Sequence, residues 1–574
     1  MCGCGETPTA GLETSPTLAD ETRRDPGSPH YMESVLINFA EIFGILLILR
    51  YLARPLQKLK IAWWHWARRR VTCIVLAGLI PVLLHLAFYP RPEPAVADEF
   101  AYLLQADTFV HGRLANPVRP LWEHFEQFHV ISQPVFAAKY QPLPAAFLAV
   151  GQELGSPNYG VLIEAALTFS AALWMLYGWL PPSYALVGWV IALVTWGPST
   201  YWMNSYWGGL VPALGGILVT GAWPRLRKAV SLRDSSLLGL GIVMLAASRP
   251  YEGLVLCTLS CGSLLWVQPQ NWRWILKAAP VVAGGLGVLM YYNFKVAGSP
   301  WVLPYFVHDG QYAAIGNFIF QHPKAILPVY RHPEFRRLFA DLFVEDSADY
   351  RAHPLSKLSF VWGFYFKNWP LMLALVCGPF AVKNRRLRWA AILLALFFAG
   401  LCLLTGILPH YAAPAVGLLL VFQVGGLHWL RYWNPQGKPL GSLLARVAIL
   451  AMGLLFLQDV IQRPFSYTSG PAPFKALRKS LLAQLDAAPG KQLVMVRYSA
   501  EHSPHMDFVV NGADFDHARI LWARAMGAEA DRRLIDYFHD RRVWVLDGDD
   551  PHPQLKCQVN CADVGPAALS HVTN

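Results

Sequence analysis

The stretch RRRVTCIVLAGLIPVLLHLAFYPRPEPAVADE, residues 68–99, decides the fold. Three arginines precede residues 71–89, a run with no Asp, Glu, Lys or Arg. An uncharged run of this kind matches the roughly 17–25 residues that cross a hydrocarbon core as a helix. Arginines at one end mark the face that is not translocated. Pro90, Pro92 and Pro94 then end the helix, because proline lacks the amide hydrogen that a helix interior needs. The chain therefore leaves a basic face and surfaces on the opposite one, where Asp98 and Glu99 emerge.

The same pattern repeats outward from this segment. Spans are predicted near 159–180, 184–201, 207–223, 235–250, 252–268, 273–294, 361–382, 389–407, 410–430 and 443–461. The basic connectors Arg225-Leu226-Arg227-Lys228, Lys383–Arg388 and Arg431–Lys438 all fall on the side of Arg68–Arg70. Loops 90–158 and 295–360 and the C-terminus then share the other side. The total is about eleven spans, or twelve if the apolar stretch 35–53, which holds Glu41 and Arg50, crosses the membrane rather than lying at its surface. Residues 1–34 are rich in Pro, Thr, Gly and charge and read as a disordered tail. No charged segment there runs directly into an apolar core, so no signal peptide is expected. Residues 35–70 form a separate helix plus a basic segment, and residues 71–461 form the transmembrane domain.

Residues 465–574 change character. Leu493–Val496 and Val543–Leu546 read as short buried strands, with helices expected near 516–527 and 529–541. The fold class is thus mainly α: a polytopic helical membrane protein with a small C-terminal α/β domain on the outer, periplasmic face. No glycine-rich phosphate loop marks that domain as nucleotide-binding.

Composition agrees. Of 574 residues 54% are hydrophobic and 15% charged, against about 25% charged in ordinary soluble proteins; mean hydropathy is +0.32. The net charge of +11 sits in the short connectors, which argues for helix orientation and against nucleic acid as a partner. Cys73, Cys257, Cys261, Cys377 and Cys402 lie in apolar spans, where cysteine acts as a small hydrophobe, and no histidine completes a zinc set with Cys257 and Cys261. Cys557 and Cys561 are near enough in sequence for a disulfide.

Acids, bases and aromatics gather at the outer ends of the spans. Asp98, with Glu99 beside it, opens a helix that carries Tyr102; the carboxylate reads either as a general base at the membrane surface or as a helix N-cap. Lys139-Tyr140 precedes Pro142 and is either a snorkelling anchor or a contact for a phosphate anion. Tyr206-Trp207-Gly208-Gly209 offers aromatic faces for a sugar, or simply an aromatic belt with close helix packing. Arg249-Pro250-Tyr251-Glu252 holds a cation and an acid that could pair with each other. His308-Asp309-Gly310-Gln311-Tyr312 lies in the long outer loop and could close over a bound substrate, or be an ordinary surface turn. His410-Tyr411 begins a late span. His502, His505 and Asp507 are spaced loosely for a metal set and read as solvated loop residues.

Taken in order and sidedness, Asp98-Glu99-x-x-Tyr102, Lys139-Tyr140-x-Pro142-Leu143 and His410-Tyr411-x-x-Pro414 resemble the GT-C superfamily of membrane glycosyltransferases, closest to the aminoarabinose transferase and protein O-mannosyltransferase branch. Tyr201–Gly209 and Ser248–Gly253 are similar to marks of a bacterial subgroup. The resemblance covers roughly residues 71–430 and implies a polyprenyl-phosphate-sugar donor and an inverting transfer at the periplasmic face of the inner membrane. It maps the acid that activates the acceptor onto Asp98, with Glu99 as neighbour, and the residue near the donor phosphate onto Lys139. Arg249 is a second phosphate contact by position alone. Tyr102, Tyr140, Tyr206, Trp207, Tyr251, Glu252, Tyr312, His410 and Tyr411 are the candidates for contacts with substrate. The acceptor (protein, lipid or glycan) is left open. The superfamily's Asp-x-Asp form is Asp98-Glu99 here, so a divalent metal is permitted but not required. The competing readings are a transporter or flippase of lipid-linked saccharides, which calls for ionisable groups at mid-membrane, and a non-catalytic scaffold of envelope assembly.

Overall fold

The computed structural model describes residues 69–462 and 472–561. The stretch 35–53, Arg68 and the N-terminal tail lie outside the described residues. The chain is mainly helical. It opens with α1 (Arg70–Phe88), α2 (Ala97–Val110), a two-stranded ribbon β1 (Val130–Ile131) and β2 (Ala137–Ala138), then α3 (Pro142–Glu153). The membrane part continues through α4 (Pro157–Trp179), α5 (Pro182–Trp196), α6 (Leu210–Leu226), α7 (Leu232–Ala246), α8 (Pro250–Val267) and α9 (Trp274–Ala297). The long loop after α9 contains α10 (Pro304–Gln311), α11 (Pro333–Arg336), a π-helical turn at Arg337–Leu342 and α12 (Phe343–Ala352). After it come α13 (Leu358–Tyr365), α14 (Trp369–Ala381), α15 (Arg385–Leu401), a 3-10 segment at Pro409–Ala415, α16 (Val416–Leu430) and α17 (Leu440–Gln462).

Among the described residues six helices are long and apolar enough to cross a membrane: α1, α4, α8, α9, the Pro409–Leu430 unit and α17. Helices α5 and α6 are apolar but shorter. On α1, Val71, Leu83 and Leu86 are exposed, as are Val288 and Tyr291 on α9. Side chains of this kind on a helix whose charges lie only near its ends find their partner in lipid. α6 is buried along nearly its whole length, so it is the central post of the bundle. It lies against the Pro409–Ala415 segment at Gly216, where a Cβ would come 1.8 Å from the Pro414 carbonyl oxygen; only glycine permits that approach.

The single straight span expected near 361–382 is corrected. α13 and α14 meet at a bend of 115°. The Asn368 side chain caps α14 by accepting from the Leu371 N–H, and Pro370 occupies its first turn, so a new helix starts where a continuous one was expected.

The C-terminal domain comprises α18 (Ala472–Ala487), β3 (Lys491–Arg497), β4 (Ile520–Arg524), α19 (Ala528–Tyr537), β5 (Arg541–Asp547) and β6 (Lys556–Val559). The sheet order is β4-β3-β5-β6, with β3 parallel to β4 and β5, and β6 antiparallel to β5. The helix expected near 516–527 is in fact β4. Leu521, Trp522 and Ala523 are buried, as a strand inside a covered parallel sheet requires. Cys557 and Cys561 form a disulfide.

This domain packs on the first outer loop. Asp107 on α2 accepts the Ala513 N–H at 2.7 Å, and Arg119 donates to the Ala513 carbonyl at 2.6 Å. Lys479 reaches Glu93 at 2.7 Å, and Arg478 lies over the Phe100 ring.

Candidate active site

The first turn of α2 divides its two acids between different tasks. Glu99 is fully buried. Its Oε2 accepts from the backbone N–H groups of Ala95 and Val96, and its Oε1 accepts from the Tyr206 N–H at 3.2 Å. Glu99, not Asp98, therefore ties down the start of the helix by reaching back to orphan amides. This corrects the pairing of Glu99 with Asp98 as catalytic neighbours, because backbone donors already hold the Glu99 carboxylate. Asp98 is left free to point into the loop.

Tyr140 donates its hydroxyl hydrogen to Asp98 Oδ1. The Tyr140 ring stacks on Tyr102 at 4.4 Å and meets Tyr305 edge-on at 5.8 Å. Asp98 Oδ2 lies 3.5 Å from His129 Nε2. His129 stands just before β1, stacked on Phe128, whose ring also meets His505 edge-on. His505 comes from the C-terminal domain, in the loop after β3. One ligand atom each from Asp98, His129 and His505 all lie within 4.8 Å of one another. The Asp98 side chain keeps 19% of its surface exposed, so a substrate hydroxyl can reach it.

Burial by itself raises the Asp98 carboxyl, but His129, the Tyr140 hydroxyl and His505 more than offset it and hold the group well below the usual carboxylate range. Burial, with Lys139 adding to it, pushes His129 down to about 3. His308 on α10 is likewise pushed down to about 4, first by burial and then by Lys139. At neutral pH the centre is thus a carboxylate among neutral imidazoles. That is the protonation state in which these groups take a proton or hold a metal.

Two cations share these surroundings: Asp98 acts electrostatically on Lys139, and Arg249 and Asp98 both act on the hydroxyls of Tyr102 and Tyr411. The Lys139 ammonium makes no hydrogen bond among the described residues and stands near the Phe128 and Tyr140 rings. Burial lowers it, and Asp309 and Asp98 oppose that shift. Arg249, at the N-cap of α8, lies 4.3 Å above the Tyr411 ring and 3.9 Å from Glu252. His410 receives or donates a hydrogen bond at Tyr201 OH, 3.0 Å away, and packs edge-on to Trp207 at 4.9 Å.

The other candidates lie elsewhere. Tyr206 is buried and donates to the Pro92 carbonyl. Tyr251 donates to the Gly400 carbonyl at 2.8 Å and packs on Phe318. Tyr312 is buried, with its hydroxyl on Glu126 at 2.7 Å. These three hold the loops in place rather than facing Asp98. A Cβ at Gly208 or Gly209 would meet Trp202, so the two glycines let the chain pass close to that residue.

His505 is a correction of another kind. The sequence reading left it in a solvated loop, yet a buried hub aims it at Asp98. Arg524, at the end of β4, is 1% exposed. It donates from Nη1 to Glu334 at 2.5 Å, from Nη2 to Asp507 and from Nε to the Glu126 carbonyl at 3.0 Å. Asp507 also accepts from Tyr498 OH at 2.6 Å. Both outer loops and the C-terminal domain meet at this one guanidinium. Glu126 lies three residues before His129, and Asp507 two after His505.

The donor set suits a borderline divalent ion. Atoms about 2.0–2.1 Å from a tetrahedral zinc are roughly 3.4 Å apart, close to the Asp98–His129 separation of 3.5 Å.

No protein-family model matches the chain, and no curated protein matches it. Among solved structures it is similar to the oligosaccharyltransferase of Archaeoglobus fulgidus in three forms. With a tethered acceptor peptide containing the NVT sequon, the identity is 11%, covering 83% of this chain and 69% of that one, at a TM-score of 0.41. The apo form gives 10%, 83%, 69% and 0.42, and the complex with Zn and sulfate gives 11%, 82%, 67% and 0.40.

Proposed function

We propose that this protein is a membrane glycosyltransferase of the GT-C type. It moves a sugar from a polyprenyl-phosphate donor to an acceptor hydroxyl at the outer, periplasmic face, with inversion. The observation that carries the reading is the Asp98 carboxylate, oriented by Tyr140, set beside neutral imidazoles and within the electrostatic reach of Lys139, with Arg249 against the Tyr411 ring that shares the same surroundings.

In the proposed reaction Asp98 takes the proton of the acceptor hydroxyl as its oxygen forms a bond to the anomeric carbon. The bond from that carbon to the phosphate oxygen breaks, and the polyprenyl phosphate leaves with the electron pair. Lys139, whose ammonium makes no hydrogen bond among the described residues, and Arg249 meet the growing phosphate charge. Tyr102, Tyr140, Trp207, His410 and Tyr411 form the aromatic wall for the sugar, joined by Tyr305. Asp98, His129 and His505 would hold a divalent metal, which when bound supplies a Lewis acid for the acceptor oxygen. The Cys557–Cys561 disulfide supports an oxidising compartment for the C-terminal domain.

The test is transfer from a polyprenyl-phosphate sugar by the purified protein in lipid nanodiscs. Asp98→Asn should lower kcat by roughly 10²–10⁴-fold with the protein still folded. Undiminished turnover in that variant would remove the base assigned here.

A further inference from the structure

The opposite end of the bundle carries a second feature that the transfer reaction does not use. A cavity of ≈ 350 Å³ opens there, lined by Trp223, Pro224, Arg227, Lys228, Gln268 and Arg386. Three separate helix ends build it. α6 supplies Trp223, with the two cations following. Gln268 caps α8, and Arg386 lies in the first turn of α15.

Three cations face this space and no acid lines it. Among the described residues the side chains of Lys228 and Arg386 have no hydrogen-bond or ion-pair partner, and Arg227 has only the Trp223 ring, 5.7 Å away. Arg227 is held below its ordinary value by burial and then by the nearby charges of Arg385 and Arg386. The nearest basic neighbour in sequence behaves differently. Arg225 is tied to the Gly221 and Trp174 carbonyls and serves the packing. The wall opposite the cations is rigid, because Trp223 stacks on Trp179 at 5.1 Å and donates to Ser263 at 3.0 Å.

Helix orientation alone requires cations on this face. It does not require three of them to converge on one concave space with an amide and an indole. Charges crowded without a counterion are relieved by an anion. The level within the membrane points to its source: Trp266, two residues before Gln268, is 83% exposed, and Trp272 is 48% exposed. Exposed tryptophans at the end of an apolar helix mark the headgroup layer.

We propose that this cavity binds a phosphate-bearing anion, delivered as the headgroup of an anionic phospholipid in the leaflet opposite the candidate active site. The anionic oxygens would lie between Arg227, Lys228 and Arg386, with the Gln268 amide as a further donor.

The full-length protein in nanodiscs of zwitterionic lipid, titrated with fluorescent phosphatidylglycerol, tests this. The wild type should bind it saturably. The Arg227→Gln, Lys228→Gln, Arg386→Gln triple variant should weaken binding by roughly a hundredfold, while the Arg233→Gln, Lys277→Gln, Arg388→Gln triple, which removes the same charge outside the cavity, should stay within about threefold. Unchanged melting temperatures certify the folds. Equal losses in the two triples, or no saturable binding by the wild type, overturn the site. Displacement by millimolar inorganic phosphate would keep the phosphate chemistry and overturn the lipid as its source; no displacement supports the lipid.

Discussion

Tyr140 donates its hydroxyl hydrogen to Asp98 Oδ1, which leaves Oδ2 facing His129 Nε2 at 3.5 Å. A carboxylate fixed on one oxygen presents the other in a single direction. Tyr140→Phe should lower kcat/KM by roughly 3- to 10-fold at neutral pH and move the acid limb of the pH–rate profile upward, because one group that favours the ionised form is gone. The profile of kcat/KM against pH in the wild type and the variant checks both.

The triad makes a separate prediction about metal. Cobalt(II) titrated into the wild type should give visible d–d bands of a four-coordinate site. His129→Ala and His505→Ala should each lose them. Because His129 is pushed down to about 3, competition from protons should begin well below the ordinary histidine range, and the bands should persist at pH 5. Bands that vanish near pH 6.5 would contradict the burial-lowered imidazole.

Arg524 is the buried partner of Glu334 and Asp507. Arg524→Met leaves two carboxylates buried without their cation, a loss on the order of 3–5 kcal/mol, readable as a lower melting temperature. Arg524→Lys keeps the charge but not the fork, so it should recover part of the stability. Cobalt affinity should nevertheless remain weakened in the lysine variant, since His505 is no longer held in place.

Acid should weaken the fold through the same histidine. Between pH 6.5 and about 3 the unfolded chain binds a proton at His129 that the folded chain refuses. Stability is therefore present above this window and lost as pH falls through it. By pH 5 the loss at this one group is about 2 kcal/mol. Melting temperatures at pH 7.5 and pH 5 should converge in His129→Gln relative to the wild type.

Sequence reading reached some of this arrangement and not the rest, for physical reasons. Long uncharged runs with arginines at one end are a one-dimensional signal, so the spans of α1, α4, α8, α9 and α17 were legible from their own residues. The break between α13 and α14 was passed over, because the interruption at Lys367-Asn368-Trp369-Pro370 is short within a longer apolar run, although the Asn368 cap and Pro370 are enough to restart a helix. β4 was read as a helix since a short buried strand and a buried helix share the same composition. At the candidate site, Asp98, Lys139 and Arg249 were visible as charges at span ends. Glu99 was read as the neighbour of Asp98 at the site, and the backbone amides that it meets give it a separate task. His505 was out of reach: its neighbour is set by the docking of a domain distant in sequence, and no local spacing encodes that.

The strand ending in Arg524 lies near the close of the chain. Synthesis proceeds from the N-terminus, so the helices that hold Asp98 are inserted before this strand has left the ribosome. A nascent or truncated polypeptide carries the carboxylate without the imidazole that docking brings to it. The order of synthesis thus leaves the Asp98 cluster incomplete until the C-terminal domain has folded and docked.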